Sequence, residues 1–282
     1  MMILAAAVAG LIVGPLLGVG VDRIVERLGW AAEHRCTHCR AGLGVASLRP
    51  VVSWTARCPS CRRQAGIRYP LIDLATAAAF AAVAARFGSG WQLAPYLALA
   101  AVLVLLSAID LETHLLPNVV VWPSILVGLF AVFVLSGELA GGDGIDTALI
   151  GAAVYGGFVG LAHLVYEPGM GRGDVKLAVL LGLFIGWAAP TRIDAVQYVL
   201  WSFVLGLLGV AVLGTGFNAL RRRSLRTEVP AGPGLAAAAL AVVVASPVLV
   251  PGSGGPPGNA GSLTARVTEW NFRLSSSDGR PG

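Results

Sequence analysis

The sequence predicts an all-α polytopic membrane protein with about eight transmembrane helices, its N-terminus outside, and a small cytoplasmic loop of the zinc-binding type. Three observations carry that reading. Of 282 residues, 56% are hydrophobic and only 12% charged, whereas soluble domains carry about 25% charged residues. The apolar residues gather into runs close to the ~20 needed to cross a bilayer. The basic residues fall unevenly among the segments joining those runs, as topology selection requires.

Taken in order, the expected spans are Met2–Val21, Leu71–Phe87, Leu93–Ile109, Val119–Ser136, Thr147–Tyr166, Val175–Ala189, Val196–Phe217 and Leu235–Val250. The first lacks a basic lead-in, and charged residues follow Val21 directly, so it reads as a retained helix and not a cleaved signal peptide. Gly10, Gly14 and Gly18 repeat at four-residue spacing, as do Gly156 and Gly160. Small residues so spaced let helices approach closely. Pro15 is expected to kink the first span. Gly18-Val19-Gly20 has no strand before it, which argues against a nucleotide loop.

With the N-terminus outside, every Lys and Arg lies on the inner side except Arg86, Arg192, Arg266, Arg273 and Arg280. The loop holding Glu138, Asp143 and Asp146 has no cation and falls outside. The formal charge of +5 therefore reports topology, and no nucleic-acid partner is expected; the partner of most of the chain is the lipid bilayer. Four regions follow: the first helix (1–21), a cysteine module (22–70), a seven-helix core (71–250) and a flexible tail rich in Gly, Pro and Ser (251–282).

All four cysteines lie in the first inner loop, as Cys36-Thr37-His38-Cys39 and Cys58-Pro59-Ser60-Cys61. Two C-x2-C pairs at this separation fit a four-thiolate zinc site, each pair placing two sulfurs on one ion. Disulfides are the rival in an oxidising compartment, but the arginine topology puts the loop in a reducing one. Reduced free thiols remain the alternative. A zinc ion here is structural, since a loop of this size has little core of its own and metal binding supplies folding free energy.

Three acids stand at the inner edge of spans: Asp73, Asp110 and Asp174. Asp110 closes the third expected span, and Asp174 opens the sixth within Gly171-Arg172-Gly173-Asp174. A charge near a membrane helix is costly and is usually retained for function. Two aspartates sharing one proton are the minimum apparatus for aspartic proteolysis, because like charges at close range cannot both ionise. Taken singly, each has a plainer reading: Asp174 as a helix N-cap, Asp110 as an interfacial acid, with Glu112 and His114 interfacial beside it. Gly171 and Gly173 favour more than a cap, since they permit backbone angles and close approach that a side chain would block.

Together these residues resemble the prepilin peptidases, or type IV leader peptidases, of the Gly-X-Gly-Asp intramembrane aspartic class. Gly14-Pro15-Leu16-Leu17-Gly18 leading to Arg23 is similar to the N-terminal motif of that family. The two C-x2-C pairs resemble its cysteine module, with Arg49-Pro50-Val51-Val52-Ser53-Trp54 between them and Arg68-Tyr69-Pro70-Leu71-Ile72-Asp73 after them. Asp110 with Leu116-Pro117-Asn118 resembles the first catalytic segment; Gly171, Gly173, Asp174 and Lys176 resemble the second. Pro230-Ala231-Gly232-Pro233 resembles a late motif in which Ala231 replaces an aromatic residue, and the spacing between the cysteine pairs is slightly short.

The resemblance implies a bacterial cytoplasmic-membrane enzyme that removes the short basic leader of type IV prepilins or pseudopilins at the inner membrane face. It implies Asp110 and Asp174 as the catalytic pair, with Gly171, Gly173 and Lys176 supporting the substrate site. Members with the cysteine module also N-methylate the new terminus from S-adenosylmethionine, and Asp73, where the family usually has glutamate, is the methyl-transfer candidate. A peptide with a basic leader and an apolar helix has its cut site at the headgroup boundary, the depth of both aspartates. Two other readings share the acids: a Gly-X-Gly-Asp peptidase for preflagellins or signal peptides, which has no use for the cysteine loop, and a transporter or pilus-assembly component, which cleaves nothing.

Overall fold

The computed structural model describes residues 1–25, 39, 60–62, 68–139, 144–165, 171–221 and 231–249. Within them lie eight helices: α1 (Met2–Val25), α2 (Arg68–Phe87), α3 (Leu93–Thr113), α4 (Asn118–Leu139), α5 (Ile145–Val165), α6 (Arg172–Trp187), α7 (Arg192–Arg221) and α8 (Gly232–Leu249). Each expected apolar run is a helix, and the described residues contain no strand. In hydrocarbon the backbone must satisfy its own hydrogen bonds, which a helix does within one segment.

The eight helices play unequal parts. Six of them, α1 to α5 and α7, are long and apolar enough to cross a membrane, and α8 is apolar over the shorter stretch Gly232–Ser246. The 16 residues of α6 reach only ~24 Å. Helices α4, α5, α7 and α8 all pack against α6, and its side chains from Leu180 to Trp187 are buried without a break. A helix that is apolar all round belongs inside the bundle, so the expected span Val175–Ala189 is the core about which the others are arranged.

Two boundary differences move functional residues. The third helix continues to Thr113 rather than stopping at Ile109, so Asp110 sits in its last turn and not beyond its end. The sixth begins at Arg172 rather than Val175, which carries Asp174 into its first turn. Most of the cysteine loop and the whole tail from residue 250 lie outside the described residues, and the expectations for them are neither met nor refused by the fold.

Close helix approach explains the glycine spacing. An added Cβ on Gly10 would sit 2.6 Å from Ala77 Cα, and one on Gly14 2.6 Å from Asp73 Cα, so α1 lies directly on the α2 backbone. The tightest approach is between α5 and α6. There a Cβ on Gly151 would meet Gly182 O at 2.2 Å, and one on Gly186 would meet Thr147 O at 2.2 Å. Gly156 also faces α6, against Val179, but Gly151 makes the closer contact.

At the end of the bundle away from Asp110, aromatic rings fasten α6. Tyr96 Oη donates to Phe184 O at 2.7 Å, and Trp187 Nε1 donates to Ser136 Oγ at 2.8 Å. The Tyr96 ring stacks on Phe87 at 4.3 Å between centroids. Buried Tyr and Trp need such partners for their polar atoms.

Candidate active site

Helices alternate in direction along the chain, which gathers the end of α3 and the starts of α4, α6 and α8 at one surface. The α3 helix closes on His114, in the left-handed region at φ 53°, whose N–H donates to Asp110 O at 2.9 Å. This turn releases Leu115, Leu116 and Pro117 toward α4.

Asp110 is 4% exposed. Its Oδ2 accepts the N–H of Gly232 at 2.9 Å. Gly232 is the first residue of α8, so this N–H belongs to the donors a helix leaves without an internal partner. A Cβ on Gly232 would stand 2.7 Å from the same oxygen; only glycine admits the carboxylate there.

Asp174 is not the N-cap of α6. That position belongs to Gly171, extended at φ −73° and ψ 149°. Asp174 sits three residues on, and its Oδ2 reaches back to accept the Gly171 N–H at 3.1 Å. This is the acidic half of a capping box, in the turn where the helix dipole favours an acid.

What brings the two acids to one place is the seating of the α6 start on the α3–α4 connection. A Cβ on Gly173 would lie 2.8 Å from Leu116 Cβ, so Gly173 gives the backbone room to settle on Leu116. Three residues after Gly173, Lys176 Nζ donates to Asn118 Oδ1 at 2.6 Å and lies 5.7 Å from the Trp122 ring centroid. Asp174 lies within range of the charges of Asp110 and of His163 on α5. The expected site residues Asp110, Asp174, Gly171, Gly173 and Lys176 therefore share one surface.

A second polar cluster adjoins it. The Arg68 guanidinium pairs with Asp22 of α1 and Glu112 of α3, and Tyr69 Oη donates to Asp22 Oδ2 at 2.8 Å. Glu112, expected to be merely interfacial, is half of an ion pair between α2 and α3. Asp73 is 1% exposed and faces α1, with the Gly14 backbone against it. Cys39 is exposed and Cys61 half-buried, while Cys36 and Cys58 lie outside the described residues. Among the described residues no group of three or more His, Cys, Asp or Glu is placed to hold a metal.

Sequence reasoning missed Asn118 as the partner of Lys176, Gly232 as the partner of Asp110, and Arg68 as the link between two acids. Gly232 did carry a signal, a glycine ahead of Pro233 at a helix start, but nothing in the sequence tied it to a carboxylate 122 residues earlier.

Comparison with known proteins matches this arrangement. Residues 97–217 fit the type IV leader peptidase family, and residues 8–87 fit the bacterial peptidase A24 N-terminal domain. The prepilin leader peptidase/N-methyltransferase of Pseudomonas aeruginosa is 33% identical over 271 residues, 84% of this chain and 88% of the relative. The chain belongs to the type IV leader peptidase family. Relatives of the same description in Myxococcus xanthus and Neisseria gonorrhoeae are 33% and 32% identical, over 80% and 74% of the chain and 67% and 81% of the relatives. No solved structure matches significantly. As a type IV leader peptidase with six membrane-length helices, the chain is a multi-pass protein of the bacterial inner membrane. Helix α8 lies beyond both matched stretches, yet its first N–H holds Asp110.

Proposed function

We propose that this chain is an aspartic endopeptidase of the cytoplasmic membrane face, removing the basic leader of type IV prepilins or pseudopilins and N-methylating the new terminus. Asp110 and Asp174 are the reacting pair. The observation that carries this is the seating of Gly173 on Leu116 and of Lys176 on Asn118, which holds two acids from distant helices at one surface. The relatives, described as prepilin leader peptidase/N-methyltransferase, support both activities.

In the reaction the ionised carboxylate takes a proton from water while the protonated one donates a hydrogen bond to the scissile carbonyl oxygen. The water oxygen bonds to the carbonyl carbon, and the C–N bond breaks as the leaving nitrogen receives a proton. The pair titrates as a unit. Backbone N–H groups of Gly232 and Gly171 hold one oxygen of each acid and leave the other for this exchange. Gly171 and Gly173 keep the approach clear of side chains, and Lys176 fixes the turn.

For the methyl-transfer half, S-adenosylmethionine supplies the methyl group. Asp73, buried against Gly14 of α1, is the candidate residue for that half. Thiolate pairs are the donor chemistry zinc prefers, and Cys36, Cys39, Cys58 and Cys61 would hold one ion within the module of residues 22–70. The concentration of Lys and Arg on the same side of the expected spans supports a cytoplasmic position for the site.

One assay tests the whole reading. Purified protein is incubated with a prepilin-like peptide and labelled S-adenosylmethionine, with Asp110→Ala and Asp174→Ala in parallel. The expected result is cleavage and label transfer by the unaltered protein and cleavage by neither variant. Undiminished cleavage by either variant removes that aspartate from the mechanism.

A further inference from the structure

Between α2, α3 and α8 runs an open groove of about 870 Å³. Along α3 it extends from Ala100 to Glu112, a rise of ~18 Å. Its walls include small side chains at helical spacing, Ala75, Ala78 and Ala82 on α2 and Ala237 and Ala241 on α8, with larger groups such as Leu103 and Leu111 along α3. Much of the surrounding surface instead presents large groups, such as Leu126 and Phe130 on α4 and Leu161 on α5. Small residues lining a membrane groove let another backbone come close.

The groove is apolar along its length and charged at one end only, where Arg68 and Glu112 line it. That end is the site described above. Pro233 lines the groove there, and the adjacent Gly232 donates to Asp110. Two carboxylates, Asp22 and Glu112, share the single Arg68 guanidinium. Tyr69 Oη donates to Asp22 as well, so this end carries a polar cluster with two carboxylates to one guanidinium.

We infer that this groove seats the apolar helix of the precursor, with the basic segment ahead of that helix leaving past the Arg68–Glu112 pair. The inference rests on the peptidase reading and adds to it the path by which substrate reaches the acids. Charge complementarity selects this occupant: a peptide apolar through the bilayer and cationic where it emerges matches a groove uncharged along its body, with Glu112 lining its mouth and Asp22 beside it on the shared Arg68. A helix seated there carries the junction between its apolar and basic parts past Asp110, which is where a peptide bond must lie to be cut.

A photo-crosslinking residue placed at Ala78 or Ala241 tests this in full-length Asp174→Asn protein in phospholipid nanodiscs, with a prepilin precursor as the probe. The expected adduct joins either position to the apolar segment of the precursor, and none forms from Phe130. Adducts with lipid alone, or between two copies of this chain, in the presence of bound precursor overturn the proposal. Kinetics give an independent arm. Ala78→Leu and Ala237→Leu fill the groove, and kcat/KM for the precursor is expected to fall at least tenfold further than kcat/KM for a short peptide that spans the cut site without the apolar helix. An equal change for both substrates removes the groove while leaving the peptidase reading intact. If the unaltered protein cleaves neither substrate, the peptidase reading fails, and this one with it.

Discussion

Lys176 of α6 donates from Nζ to Asn118 Oδ1 of α4 at 2.6 Å, across 58 residues of sequence. A hydrogen bond to a charged group contributes about 1.5–3 kcal/mol. If that energy holds the turn bearing Asp174 in its working position, Asn118→Ala and Lys176→Ala each lower kcat by roughly 10- to 100-fold. Asn118→Asp keeps the acceptor and retains most of the rate. Equal losses in Asn118→Asp and Asn118→Ala, measured on a prepilin peptide, would argue against the bond and for side-chain shape.

Gly173 and Leu116 form the second fastening. An alanine at Gly173 places its Cβ 2.8 Å from Leu116 Cβ, so the α6 start must lift away and take Asp174 with it. Gly173→Ala is expected to lower kcat sharply with little change in the thermal midpoint. The double variant Gly173→Ala/Leu116→Gly removes the opposing Cβ and recovers part of the rate. A double-mutant cycle with no coupling between the two positions would refute the contact as the cause.

The helices and both acids were legible in the sequence because long apolar runs and isolated charges are signals that a single residue row carries. Asp110 and Asp174 stood out by their rarity at membrane depth. Their partners did not. Gly232 and Asn118 act through a backbone N–H and an amide oxygen, groups that every sequence offers in abundance, and their roles depend on which helices become neighbours. The plainer alternative for Asp174, a helix N-cap, fails for a related reason: the turn of helix that begins at Arg172 is built on Gly171, whose extended backbone leaves no compositional mark. Gly151 escaped notice because its partners, Gly182 and Gly186, lie on another helix.

Those glycines make a stability prediction with its own control. Gly151→Ala, Gly182→Ala and Gly186→Ala each drive a Cβ to within 2.2–2.3 Å of a backbone oxygen of the facing helix. Overpacking of this kind costs about 1–3 kcal/mol or more, so each variant lowers the thermal midpoint in detergent. At Gly157 an added Cβ meets nothing within 4 Å, and Gly157→Ala is expected to be neutral or stabilising by up to about 1 kcal/mol. Similar midpoints for Gly157→Ala and Gly186→Ala would contradict the close packing of α5 on α6.

Arg68 offers a test of the α1–α2–α3 link. Its side chain is 33% exposed and serves Asp22, which is 5% exposed, so its removal takes a cation from an acid with little access to water, while Tyr69 still donates to it. Arg68→Ala is expected to cost on the order of 2–3 kcal/mol, below the 3–5 kcal/mol typical of a fully buried pair. Adding Asp22→Asn returns part of that stability, because the uncompensated charge is gone. Arg68→Lys recovers little, since an ammonium lacks the fork that spans two carboxylates. Chemical denaturation in detergent reads all three.

The cysteine module makes a prediction independent of the membrane site. Purified protein is expected to carry about one zinc per chain, as a four-thiolate site requires. Cys36→Ser, Cys39→Ser, Cys58→Ser and Cys61→Ser each reduce that content, and a strong chelator exposes the loop to protease. Full zinc retention in all four single variants would sink the assignment.

The backbone contact between α5 and α6 has a mechanical side. With Gly151, Gly182 and Gly186 pressed against facing carbonyl oxygens, neither helix can slide or rotate on the other without a steric clash. Asp174 is thus mounted on a two-helix unit whose halves cannot shift against each other. That unit ends, at the other face of the membrane, at Trp187 and its aromatic neighbours, so the seating of those rings and the seating of Asp174 belong to one rigid body.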